Sequence, residues 1–181
     1  MIAVKLDFDD KEFFSFTEKL GPFAIQSAIN RAVRKTALWS RTHLLRRIKD
    51  EGILRRIIVH RVQLYNKNWR AGIEGGKAVK VWFGINPISA DRISRPVKTA
   101  KGYRVKKWEF QQAFVPKAGR LAGKLYERTT KNRLPIRRSK VEIYEAGNAA
   151  FREVEGLIPA RMQELALQEL RFEVHKALGN V

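Results

Sequence analysis

The sequence predicts an α+β protein in which a long N-terminal helix and C-terminal helices pack on a mainly antiparallel sheet. Three observations carry this expectation: a helical apolar period after Pro22, a strand-rich middle punctuated by glycines, and a second broad apolar helical face after Pro159. The 181 residues suit one domain spanning 1–181, and a hydrophobic fraction of 44% is enough to build a core.

Asp9 or Asp10 is placed to cap a short first helix carrying Phe13, Phe14, Phe16 and Leu20, which Gly21-Pro22 would stop. From Pro22 to Lys49 the residues Ile25, Ile29, Ala32, Val33, Thr36, Ser40, Leu44 and Ile48 share one side of a helix. Arg31, Arg34, Lys35, Arg41, Arg46 and Lys49 cluster on the other side, and Gly52 should end the helix. A short helix over 53–60 is expected next. Strands at Arg61–Tyr65 and Ala78–Gly84 should pair across a glycine-rich loop at Asn66–Lys77. Arg92 to Lys101 reads as an exposed basic loop, mobile around 90–102. Further strands are expected over Tyr103–Glu109, Phe110–Val115 and Lys124–Arg128, the last returning to the sheet after a tip at Gly119 and Gly123. The C-terminal third reads as helical, interrupted at Gly156 and restarted near Pro159, which fits two helices or one kinked helix. Its last part aligns Met162, Leu165, Ala166, Leu170, Val174 and Leu178 on one face.

Charge is the most informative quantity. The chain holds 37 Lys and Arg against 18 Asp and Glu, a net +19, which self-repels unless an anionic partner or a neighbouring subunit offsets it. The excess is local: residues 92–140 hold 16 basic to 2 acidic side chains, whereas 141–181 hold 4 to 7. Such asymmetry fits head-to-tail association in a ring or stack as well as it fits DNA. Within the basic middle, Arg92, Arg95, Lys98, Lys101, Arg104, Lys106 and Lys107 form a dense run. They are candidates to neutralise phosphates without reading sequence, or to dock on acidic faces of other subunits, together with Arg31, Arg34, Lys35 and Arg41 of the long helix. A merely solvated basic loop is the plainer alternative. Interleaved aromatics are strand-core candidates, Trp82, Trp108 and Phe114 above all, with Tyr103 left open as a stacking residue.

Other chemistries find little footing. The absence of cysteine excludes disulfides and thiolate zinc sites and fits folding in a reducing cytoplasm. His43, His60 and His175 stand in separate segments without metal-ligand spacing, and Gly72, Gly75 and Gly76 match no phosphate-cradling loop. The basic middle offers Glu109 and Glu127 as its acids, better suited to ion pairs than to acid–base catalysis or to holding magnesium. No catalytic residue, cofactor, metal or small-molecule substrate is expected. Neither a signal peptide nor a membrane span is expected, and the chain reads as soluble.

The order of six motifs resembles the minor tail protein Z family of tail-completion proteins in lambda-like siphophages. The motifs are Ala28-Ile-Asn-Arg-Ala-Val-Arg-Lys-Thr-Ala37, Val81-Trp-Phe-Gly-Ile-Asn-Pro-Ile88, Gly102-Tyr-Arg-Val105, Phe114-Val-Pro116, Arg133-Leu-Pro-Ile136 and Gln168-Glu-Leu-Arg-Phe-Glu-Val-His175. Residues 1–20 and Asn66–Lys77 lie outside that pattern. The resemblance implies a non-enzymatic virion protein at the head-proximal end of a phage or prophage tail, assembled in the bacterial cytoplasm. Its implied partners are other tail and neck proteins and further copies of itself, with non-specific contact to phage DNA as a further expectation.

Overall fold

The computed structural model describes residues 18, 20–65 and 79–179. Most of the expected first helix and the expected loop at Asn66–Lys77 lie outside these. The described chain is α+β, with a long N-terminal helix, a long C-terminal helix and strands paired antiparallel throughout. It divides into two compact units. One comprises the described residues within 1–45, 62–83 and 151–181, and the other comprises 46–61 and 84–150.

Helix α1 runs over Pro22–Asp50. The Gly21 carbonyl accepts from the Ala24 and Ile25 amides at 3.0 and 3.3 Å, so Pro22, which has no amide hydrogen, sits in the first turn at no cost. Gly52 closes the end at φ +85°, its amide donating to the Lys49 carbonyl at 2.9 Å. In the first unit α1 packs antiparallel on the C-terminal helix α4, Tyr144–Ala177: Ala28 meets Leu170, Ala32 meets Met162, Leu165 and Ala166, and the Thr36 hydroxyl reaches the Met162 sulfur. Small residues on α1, with Ala28 and Ala32 fully buried, leave room for large ones on α4.

Helix α4 continues through Gly156 and Pro159 as one element of 34 residues, where the sequence allowed two. Gly156 and Pro159 both lie on the exposed side, whereas Val154, Ile158 and Met162 on the opposite side are buried. The carbonyl that proline leaves without a helical donor can therefore bond water, while the apolar stripe stays unbroken.

Strands β1 (Val62–Tyr65) and β2 (Lys80–Phe83) pair as expected, with Val62 opposite Phe83. In the second unit, helix α2 (Arg55–Ile58) leads into a 3₁₀ turn, Val59–Arg61. The expected basic loop holds regular structure: α3 (Ala90–Ile93) follows β3 (Ile88–Ser89) directly, and β4 (Val97–Thr99) begins a three-stranded meander. The meander continues with β5 (Gly102–Val105) and β6 (Trp108–Gln111), so the turn falls at Lys106-Lys107 and not at residues 109–110. Lys106 takes φ +51°, a conformation that glycine or asparagine would have advertised. Gly102 is required where it stands, because a Cβ there would lie 2.2 Å from the Phe110 carbonyl oxygen. Strands β7 (Tyr126–Arg128) and β8 (Ile136–Arg138) form their own hairpin, and β9 (Lys140–Val141) pairs with β3. The described strands thus form four separate small sheets. Ile53, Ile58, Ile88, Ile93, Val105 and Leu125 are fully buried in this unit.

Candidate polyanion interface

The second unit carries 22 Lys and Arg against 7 Asp and Glu, a net +15 out of the chain's +19, which leaves the first unit at +4. Charge is therefore a property of one unit. Whether each cation is available depends on what its side chain already touches.

Five of the eleven candidate cations are engaged within the fold. On α1, Arg31 donates through Nε to Glu169 and through a terminal nitrogen to Glu173, each at 2.5 Å, and Lys35 pairs with Glu169. Glu169 and Glu173 stand four residues apart on α4, 4% and 7% exposed, so one guanidinium spans both. Burial is the strongest single influence on Glu169 and would raise its pKa. Hydrogen bonds from Lys35 and Arg31, with their charges, together outweigh it and hold the carboxyl below its ordinary value. Burial likewise works against the charge on Arg31, yet the two carboxylates raise its pKa. Arg31 also lies over the Phe172 ring, 5.6 Å from its centre. These groups line a shallow depression of about 290 Å³ with Gln168, its charges already matched. Arg41 donates to the Val62 carbonyl at 3.2 Å. In the second unit, Lys106 donates to the Gly52 carbonyl at 2.6 Å and Lys107 pairs with Glu51 at 2.8 Å, both at the C-terminal end of α1 where cations are favoured.

The other six, Arg34, Arg92, Arg95, Lys98, Lys101 and Arg104, are exposed and pair with no carboxylate among the described residues. All but Arg34 belong to the second unit. Two of its carboxylates are committed elsewhere: Asp91 takes both oxygens to Arg138, at 3.0 and 2.5 Å, and Glu127 pairs with Arg137. The bond to Asp91 is the foremost cause of the raised pKa of Arg138. Cross-strand register puts Arg104 on one face of the meander beside Val97 and Glu109, and Lys98 on the other beside Tyr103 and Phe110. Val97 is 58% exposed.

The aromatic residues depart from the expected core. Trp108 and Phe114 are half-buried with Lys107 and Arg128 over their rings, and Trp82 is exposed on the β1–β2 ribbon. Tyr103 is half-buried. Among the described residues no group of His, Asp and Glu is arranged to hold a metal ion, and no described helix is long and apolar enough to cross a membrane.

Sequence reasoning missed Glu169 and Glu173 as partners, although their spacing beside Ala166 and Leu170 on an apolar face was a usable signal. It also missed Arg61, whose guanidinium donates to the Asn86 carbonyl. No family model, curated protein or solved structure matches the chain.

Proposed function

We propose that this chain is a non-enzymatic structural protein of a phage or prophage tail, acting in tail completion and head–tail joining beside the DNA channel. The observation that carries the reading is the net +15 of the second unit, with exposed cations from Arg92 to Arg104 that form no ion pair among the described residues. Such a surface is stable beside a polyanion or an acidic subunit face and repels copies of itself without one. The order of the tail-protein motifs supplies the particle context. The test is deletion of the gene from the phage or prophage that encodes it. Electron microscopy should then show heads and tails that fail to join, with joining restored by the wild-type chain; normal particles without the chain would end the proposal. A second reading, sequence-independent nucleic-acid binding by the free chain, rests on the same unpaired cations and is favoured if the protein is dispensable for particles.

A further inference from the structure

Strands β1 and β2 form a two-stranded sheet of their own in the first unit, so register alone sets what each face carries. Alternation turns Val62, Leu64, Val81 and Phe83 to one face and Gln63, Tyr65, Lys80 and Trp82 to the other. The first set is packed. Val62 is fully buried, the other three are half-buried, and the Val62 carbonyl accepts from Arg41 of α1 at 3.2 Å, which holds the ribbon to the long helix. All four residues of the second set are exposed, Tyr65 at 46% and Trp82 at 40%, so packing within the fold does not account for either ring. The two rings are neighbours. Gln63 lies opposite Trp82 and Tyr65 opposite Lys80, which makes Tyr65 and Trp82 a diagonal pair about 7–8 Å apart between Cα atoms. The Tyr65 hydroxyl donates to Gln63 Oε1 at 2.7 Å, so the phenol lies along its strand toward the residue that faces Trp82. Neither strand contains a carboxylate, and Lys80 sets a cation opposite Tyr65.

We infer that this face of the ribbon is a stacking platform for unpaired bases of single-stranded nucleic acid, with Lys80 meeting a backbone phosphate. Every base has a π-face, so stacking on Trp82 and Tyr65 tolerates any sequence. A duplex keeps its base faces against one another, and two rings on a sheet therefore select a strand whose bases are free. Charge complementarity fixes the occupant. A surface with a cation and no acid, on a chain of net +19, attracts a polyanion, whereas a second copy of the chain would bring the same charge and repel. An acidic protein matches the charge but offers no regular array of planar rings to the two aromatics. The site belongs to the first unit, so it depends neither on the cations of the second unit nor on head–tail joining.

The experiment uses the full chain and fluorescein-labelled oligothymidine of about 20 nucleotides, longer than the usual site on an aromatic-lined surface. An abasic strand and a duplex of the same length are the controls, and anisotropy is read across a sodium chloride series. Trp82→Ala and Tyr65→Ala should each weaken oligothymidine binding roughly tenfold, the loss of one stacked base, and leave binding of the abasic strand and the duplex unchanged. A ring carries no charge, so neither variant should change the salt dependence. Lys80→Gln should flatten it by about 0.7 in log affinity against log salt, one phosphate of a single strand. Trp82→Phe keeps a ring and should retain most of the affinity. Circular dichroism checks that each variant folds, and Tyr65→Ala decides alone if Trp82→Ala does not. A wild type that binds oligothymidine no tighter than the abasic strand would overturn the inference, as would folded alanine variants that bind it like the wild type. A wild-type dimer that becomes monomeric in Trp82→Ala, with strand binding unchanged, would assign the face to a second copy instead. No binding of oligothymidine, with heads and tails unjoined on deletion of the gene, removes this site and leaves the assembly role. Stacking lost in Trp82→Ala, with normal particles on deletion, upholds the site and removes the assembly role.

Discussion

Replacing Arg31 by methionine tests how the helix pair of the first unit is keyed. The substitution keeps much of the aliphatic stem but removes the one cation that bonds both Glu169 and Glu173. Glu169 retains Lys35, whereas Glu173, 7% exposed, loses the partner the structure gives it. Stranding a buried carboxylate costs about 3–5 kcal/mol when its ion-pair partner is deleted. The Arg31 side chain is 36% exposed, so water reaches part of the vacated space and the lower end applies, about 3 kcal/mol. In urea, with a slope of about 1–3 kcal/mol per molar, the midpoint at pH 7 should fall by roughly 1–3 M. Arg34→Met, three residues along on the exposed side, should stay within about 0.5 kcal/mol of the wild type. The pH dependence follows from the sign of the Glu169 shift. Its carboxyl is held below the ordinary 4.5, so its contribution is fully present above that value and is lost as the pH falls through the lowered folded value. The gap between wild type and Arg31→Met should therefore narrow as the pH falls below 4.5. Equal midpoints for Arg31→Met and Arg34→Met, or a gap that does not narrow, would refute the reasoning.

Gly102→Ala should cost about 3 kcal/mol, because the new Cβ meets a backbone oxygen and the β5–β6 hairpin must open to admit it; thermal denaturation followed by circular dichroism reads the loss. Arg138→Met removes both bonds to Asp91 and should speed hydrogen exchange across α3 while leaving the α1–α4 pair as protected as before. Pro159→Ala restores an amide inside α4 on its exposed side and should stabilise the chain by about 1–3 kcal/mol, measured by the same urea titration. Lys107→Ala breaks an exposed ion pair with Glu51 and should cost less than about 1 kcal/mol.

Helix α1 was legible because Pro22, the apolar spacing and Gly52 all gave the same answer. The β1–β2 pair was legible for a similar reason, two alternating runs on either side of a glycine-rich stretch. The turn between β5 and β6 was not, since Lys106 adopts a positive φ that its residue type does not announce. The short elements at 90–99 escaped because four helical and three strand residues are too few to show a period, and Ser89 makes no side-chain cap. In α4 the local rule for proline gave way to a buried face that continues past it. The exposed cations from Arg92 to Arg104 could be named from composition. That Arg31 and Lys107 are engaged could not, because their carboxylates lie 138, 142 and 56 residues away. Such distances separate a charge visible in sequence from a charge available to a partner.

The measurement that bears most directly on the proposed role is head–tail joining by particles carrying Arg92→Glu, Arg95→Glu, Lys98→Glu and Lys101→Glu together. All four side chains are exposed, so the variant should fold like the wild type by circular dichroism. It is expected to leave heads and tails unjoined and to recover no infectivity. A folded variant that yields joined, infectious particles in normal number would contradict the account.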